Sequence, residues 1–211
     1  MNIDVANLDA VLFSYFWLNI QSVKEFLEQR GQKDIFAITE NADIKPLLNL
    51  NYAYNPNPMR ATFFSVAENE TIMFPNLQDG WATLFHTITN SLKTKSCYMK
   101  IIDSNKIVDA SNCFIYCEDS QERIVYTLKD NKWVFFEQGI PLSFENTAYY
   151  AARQKKERLS KAIMLEYCEK IGISKNGNIE LNTDKAFSYE SRWTGEFSNS
   201  NGFGNTSFIR K

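Results

Sequence analysis

Four strand-like runs between residues 97 and 138 constrain the fold more than any other feature of the sequence. They are rich in β-branched and aromatic residues, which favour strands. The runs are CYMKII (97–102), CFIYC (113–117), RIVYTLK (123–129) and KWVFFEQ (132–138). The link Asp130-Asn131 is short enough for a hairpin turn, because Asp and Asn tolerate the positive φ that such turns require. The sequence therefore predicts an antiparallel meander.

The last of these runs is apolar on both of its faces. Trp133 and Phe135 alternate with Val134 and Phe136. Strands that are covered on both faces have nearly continuous apolar runs. We therefore expect KWVFFEQ to be a central strand.

Further strands are predicted on either side of the meander. ATFFSVA (61–67) and TIMF (71–74), joined by ENE, form a hairpin pattern with a solvated acidic tip. The apolar run 11–20 predicts a buried strand near the N-terminus. NIEL predicts a short strand, and AFSYESRW (186–193) alternates as the last one.

Three segments have helical patterns. Ser22 and Glu25 form a capping box that predicts a helix over 22–30. In the segment 81–94, apolar residues recur on one helical face. The segment 144–171 is interpreted as one or two helices that Ser143 can cap and that end at Gly172.

Together these elements predict an α+β fold, a mainly antiparallel sheet with helices packed on it. We expect one domain over residues 1–197 and a flexible C-terminal tail over 198–211, because the tail is rich in Ser, Asn and Gly. The segment 32–60 mixes polar and apolar residues and carries Pro46, Pro56 and Pro58. Its part NYAYNPNPM is interpreted as an extended loop because Pro disfavours helix before it.

Charge and cysteine content exclude several classes of function. The net charge of −2 provides no basic field for nucleic acid. The four cysteines form no C-x-x-C pair, and one histidine cannot complete a usual zinc set, so neither a metal nor a cofactor is expected. The run 11–20 lacks a basic region before it and is too short to span a membrane, which favours a cytoplasmic protein without membrane contact.

No residue pattern predicts catalysis. The single histidine, His86, falls off the centre of its apolar helical stripe. Cys113 and Cys117 lie on one face of a strand about 13 Å apart, which suits neither a metal nor a disulfide. Two carboxylate pairs, Glu118 with Asp119 and Glu137 with Glu145, have the residue types for acid–base work, but the first lies in the loop EDSQER. The sequence therefore favours a protein that is not an enzyme.

The segment 123–173 resembles parts of immunity proteins from bacterial contact-dependent inhibition and related polymorphic toxin systems. Four motifs in order carry the resemblance: W-x-F-F-x-x-G, P-L-S-F-E, Y-Y-x-x-R-x-x-x-x-R-L and Y-C-x-x-I-G-I. It covers about a quarter of the chain. It implies a cytoplasmic protein that binds one cognate toxin domain and blocks its active site or its access to substrate.

A mildly acidic binding protein of this kind suits a basic toxin, because opposite charges accelerate encounter and buried aromatic residues supply affinity. The candidate partner-binding residues are therefore Tyr52, Tyr54, Glu68, Glu70, Glu118, Asp119 and Glu122. Two alternatives stay open. One is a small enzyme with a convergent site near His86 and Asp79, and the other is a structural or adaptor module.

Overall fold

A computed structural model describes residues 1–30, 36–40, 42, 58–77, 79–102 and 110–191. The fold is α+β, as the sequence predicts. Nine strands form one antiparallel sheet in the order β3-β11-β4-β5-β2-β6-β7-β8-β9, and β1 pairs with β10 in a separate two-stranded sheet. The strands are β1 (Asn2–Asp4), β2 (Ala10–Phe16), β3 (Phe36–Thr39), β4 (Arg60–Ala67), β5 (Glu70–Pro75), β6 (Ser96–Ile102), β7 (Ser111–Glu118), β8 (Gln121–Asp130), β9 (Lys132–Gln138), β10 (Asn178–Glu180) and β11 (Asn182–Ser191).

The N-terminal strand β2 is the middle strand of the large sheet. All of its seven residues are buried, as the apolar run predicts. It pairs with β5 through Ser14 and Met73 and with β6 along its whole length. The predicted meander β6-β7-β8-β9 and the hairpin β4-β5 extend the sheet on its two sides. The four residues of β3, for which no strand is predicted, form an outer strand against β11.

The expectation that KWVFFEQ is a central strand is wrong, because β9 lies at the edge of the sheet. Its apolar residues are only partly covered. Phe135 lies beneath the Arg158 guanidinium, and Phe136 stacks on Tyr126 with 38% of its surface still exposed. Aromatic pairs that cover the sheet margin thus produce the same two-sided apolar pattern as a fully buried strand.

Within the described part of the chain, two helices cover one face of the sheet. Helix α1 (Ile20–Arg30) buries Val23 and Leu27, and α2 (Ala82–Leu92) buries Leu84, Phe85 and Ile88. Helix α1 begins two residues earlier than predicted, because the Asn19 side chain accepts a hydrogen bond from the Ser22 backbone N–H. Asn19, rather than Ser22, therefore caps this helix.

The segment predicted as one or two α-helices over 144–171 contains only one, α3 (Lys161–Lys170), which packs on the opposite face of the sheet. Two 3-10 helices, Thr147–Ala151 and Lys155–Glu157, precede it. Asn146 and Ser160 accept hydrogen bonds from backbone N–H groups of the following turns, so each starts a new element. Ser143, the predicted cap, therefore caps neither the first 3-10 helix nor α3.

Some predictions fall outside the described residues. Tyr52 and Tyr54 lie there, and so does the predicted tail 198–211. Among the helices that the structure describes, none combines the length and the apolar character needed to cross a membrane.

Candidate binding surface at one end of the sheet

Both acidic hairpin tips lie at the same end of the large sheet. Phe16, the last residue of β2, pairs with Thr71 next to the β4-β5 tip and with Ser96 on β6. Ser96 in turn pairs with Cys117 next to the β7-β8 tip. Three strand spacings separate β5 from β7, which is roughly 15 Å. We call this surface, which comprises Glu68, Glu70, Glu118, Asp119 and Glu122, the acidic end.

The five carboxylates of the acidic end differ in their partners. Glu118 lies 3.4 Å from the Lys95 ammonium, and Glu122 lies 3.5 Å from the His86 imidazole. Glu70 neighbours the Tyr15 hydroxyl, whose pKa is raised by burial and then by this carboxylate. Glu68 and Asp119 are exposed, and no ion pair of either is found within the described part of the chain. These two carboxylates are therefore the ones most available to a partner.

The β7-β8 tip has a strained backbone. Asp119 and Ser120 have φ values of 50° and 65°, the left-handed region that a two-residue type I′ turn requires at both positions. Glycine and asparagine adopt this conformation more readily than serine does. Asp119 can thus become Asn, which loses its charge but still suits the turn.

A shallow cavity of about 170 Å³ lies beside the β7-β8 tip. Its lining residues are Tyr116, Glu118, Asp119, Gln121, Glu122, Arg123, Ile140 and Leu142. Binding sites for small molecules typically have volumes of about 300–1,000 Å³, so this cavity is small for a metabolite. Ile140 on its rim is 75% exposed. An exposed apolar residue next to carboxylates instead suits contact with a protein.

A buried ion-pair network underlies the cavity. The Arg123 guanidinium donates through Nε to Glu145 at 2.9 Å and through Nη2 to Glu145 at 2.8 Å and Glu137 at 2.7 Å. Its Nη1 donates to the carbonyls of Gln138 and Gly139 at 3.3 and 3.1 Å. The Arg123 side chain is 3% exposed and that of Glu145 is fully buried. Arginine is suited to such a site because its planar fork binds a carboxylate with two parallel hydrogen bonds.

Two tyrosines complete this network. The Tyr150 hydroxyl lies 2.6 Å from Glu145 and 2.9 Å from the Tyr167 hydroxyl on α3. Burial, followed by the hydrogen bond to Glu145, raises the pKa of Tyr150 above its ordinary value. Burial alone would lower the pKa of Arg123, but its hydrogen bonds to Glu145 and Glu137 outweigh burial and raise it. The network thus holds the segment after β9 against the sheet, with Arg123 paired to both carboxylates.

Glu137 and Glu145, the two carboxylates considered above for acid–base work, have a structural role instead. Both carboxylates bind the same arginine, and Glu145 is also bound by the Leu142 backbone N–H at 2.9 Å. An acid–base pair needs access to a substrate, and the Glu145 side chain has none. Gly139 is needed here, because its φ is +87° and a Cβ atom would lie 2.3 Å from the Glu122 carbonyl oxygen.

A second cluster of polar side chains lies on the opposite face, under α2. The Cys117 thiol lies 3.8 Å from the Glu122 carboxylate, whose other neighbour is His86. Burial raises the pKa of Cys117 to about 12, and Glu122 adds to this effect, while the Ser96 hydroxyl acts in the opposite direction. A buried thiol whose pKa is raised in this way is less nucleophilic at neutral pH.

The structure thus brings together the five predicted carboxylates, and it adds residues that sequence patterns did not connect. Ile140, Arg123 and Lys95 were not among the predicted site residues. Lys95 lies 4.6 Å from the Trp17 ring and 5.5 Å from the Tyr116 ring, which fixes its charge beside Glu118. Arg123 could have been singled out by its place in an apolar strand, because buried charges are rare without a partner.

Comparison with known proteins gives no relative for this chain. It matches no protein-family model, no curated protein and no solved structure.

Proposed function

We propose that this chain is an immunity-type protein that binds a cognate bacterial toxin domain through the acidic end and blocks the toxin's active site or its access to substrate. The observation that carries the proposal is the shared location of the two acidic hairpin tips and the exposed Ile140 at one end of the sheet. The resemblance of residues 123–173 to immunity proteins supports the same role. A cytoplasmic location belongs to this proposal.

The dimensions of the acidic end suit a single protein partner. Its tips are roughly 15 Å apart by strand spacing, so both fit within a typical footprint of about 800 Å² per partner. Ile140 and the partly buried Leu142 lie beside the carboxylates and provide an apolar anchor. Specific interfaces commonly combine apolar contacts with polar and charged groups around them.

The negative charge of the acidic end suits a partner with a basic surface. Glu68 and Asp119 are exposed carboxylates, and the chain carries a net charge of −2. A basic surface on the partner would be attracted by these carboxylates, which raises the association rate more than the final affinity.

The decisive experiment measures both protection of growth from the toxin and binding of the purified toxin. Each reading frame next to the gene is expressed alone to find a product that arrests growth, and that product is then co-expressed with this chain. We expect the native chain to restore growth. Asp119→Lys and Glu68→Lys should each weaken binding of the purified toxin at least about tenfold, because like charges then meet across the interface.

Asp130→Lys is the matched control for Asp119→Lys. Asp130 is also an exposed carboxylate at a hairpin turn of β8, but it lies at the opposite end of that strand. The control should keep wild-type affinity and protection. If both reversals at the acidic end leave the affinity unchanged in folded protein, the surface assignment is wrong. If no neighbouring product is toxic, the immunity role is wrong.

A further inference from the structure

The chain's single histidine, one buried cysteine and one glutamate converge under α2 at the acidic end. His86 Nδ1 lies 3.5 Å from Glu122 Oε1, and Cys117 Sγ lies 3.8 Å from the same oxygen. One ligand-type atom from each residue lies within 4.8 Å of the other two. Cys117 belongs to the core under α1 and α2, whereas the Arg123 network lies on the other face. The two clusters are therefore separate.

Two of the three separations between ligand atoms are close to those in a tetrahedral zinc site, and the third, between His86 and Cys117, is within 4.8 Å. With bonds of about 2.0–2.1 Å to nitrogen or oxygen and about 2.3 Å to sulfur, zinc holds its ligand atoms roughly 3.3–3.6 Å apart. The separation of 3.5 Å between His86 and Glu122 falls within this range, and that of 3.8 Å between Cys117 and Glu122 exceeds it by about 0.2 Å. Thiolate, imidazole and carboxylate are also the three ligand types that Zn²⁺ prefers.

The backbone around the three residues is firmly held. Cys117 and Glu122 are direct partners across the β7-β8 ladder. His86 follows Phe85, which is fully buried between α2 and the sheet. Ser96, opposite Cys117 on β6, shares a hydrogen bond of 2.8 Å with Thr89 of α2. Small rotations of side chains, rather than movement of strands or helices, would close the three ligands around an ion.

We infer that His86, Cys117 and Glu122 form a binding site for a single Zn²⁺ ion. The three residues supply three of the four ligands of a tetrahedral site. The side chains of His86 and Glu122 are 38% and 39% exposed, so the fourth position faces solvent and takes water or a donor atom from another molecule. On binding, the Cys117 thiol releases its proton to solvent, and the sulfur coordinates the metal as thiolate.

Metal binding is tested on the isolated full chain, which needs no partner protein. The protein is purified without a polyhistidine tag, treated with chelator and titrated with ZnCl₂ by calorimetry. We expect one ion per chain. Because His86 is the chain's only histidine, its imidazole NMR signals report directly on binding. Co²⁺ serves as a spectroscopic probe, since coordination by thiolate produces a charge-transfer band.

Variants assign the ligands. Cys117→Ser, His86→Gln and Glu122→Gln should each weaken Zn²⁺ binding by roughly 100-fold, at or above the loss seen for residues that only support a ligand. Cys113→Ser is the matched control, because Cys113 lies on the same face of the same strand and is absent from the cluster. It should bind Zn²⁺ as the native chain does.

Two results would overturn the site: no binding by the native chain, or binding that all three ligand variants retain. If Cys117→Ser fails to fold, the native protein still decides the question. A Co²⁺ complex without a thiolate band, or His86 signals that do not respond to Zn²⁺, would then exclude the site. The growth test above uses Glu68 and Asp119 rather than Glu122, so failure of one proposal does not affect the other.

Discussion

At the scale of single residues, Arg123 shows how a role depends on partners that are remote in sequence. Its guanidinium is bound by Glu137 and Glu145, which lie 14 and 22 positions further along the chain. The sequence pattern indicates the two carboxylates as a pair but does not indicate the arginine between them. Sequence spacing cannot reveal such a contact, because the pair is assembled by the turn at Gly139 and by strand register.

Replacing Arg123 by Met should destabilise the protein by roughly 3–5 kcal/mol, because the buried Glu145 carboxylate then loses its counter-charge. Urea unfolding measures the change in the free energy of unfolding. The double variant Arg123→Met/Glu145→Leu should cost less than the sum of the two single variants, since it leaves no buried charge unpaired. Additive effects would show that the ion pair is not the source of the loss.

Among the other candidate residues, those within one short link are predictable from the sequence, and those that converge from separate elements are not. The carboxylates of the acidic end were predicted because charges in short links between strands usually face solvent. His86, Cys117 and Glu122 were considered separately, and only the packing of α2 on the sheet places them together. Side chains that converge from separate elements leave no periodic signal in a single sequence.

At the scale of elements, periodicity identified most strands and the two helices on one face, but not how the segment 144–171 is divided. Its charged and apolar residues fit a helical spacing. However, the side chains of Asn146 and Ser160 accept hydrogen bonds from nearby backbone N–H groups, so each begins a new helical element. KWVFFEQ was misplaced for a different reason. Its two apolar faces reflect aromatic pairing at the sheet margin and not burial within the sheet.

Ser160 should therefore matter more than Ser143 for the stability of α3. Ser160→Ala removes the side-chain acceptor for the Ile163 backbone N–H and should cost about 1 kcal/mol, as is typical for loss of a helix N-cap. Ser143→Ala is the matched control, because Ser143 is exposed and caps no helix. Urea unfolding of both variants compares them. Equal stabilities would mean that the Ser160 cap contributes nothing.

At the scale of the whole molecule, the sheet depends on contacts between distant parts of the chain. Its middle strand β2 comes from the N-terminus, yet its partners are residues 71–73 and 96–102. The meander and the hairpin were predictable because their strands are neighbours in sequence. The order in which β2 and β11 join them was not, because a single sequence carries no signal for pairing at long range.

The order of the strands predicts how protection from hydrogen exchange is distributed. β2 is entirely buried and pairs with β6 along its whole length and with β5 at residues 14–16, so the amides of residues 14–16 should exchange only through opening of the whole sheet. Among the described residues, β9 pairs only with β8, and four of its seven residues are exposed. Its alternate amides that face away from β8 should exchange orders of magnitude faster than those of β2.

Exchange measured residue by residue by NMR under native conditions tests this distribution. β6 is an internal reference, since it also has a partner on both sides and should behave like β2. If the outward-facing amides of β9 were as slow as those of β2, another part of the chain or a second molecule would have to cover that edge. Unpaired edges are the places where sheets recruit further strands, so slow exchange there would identify a second interaction surface distinct from the acidic end.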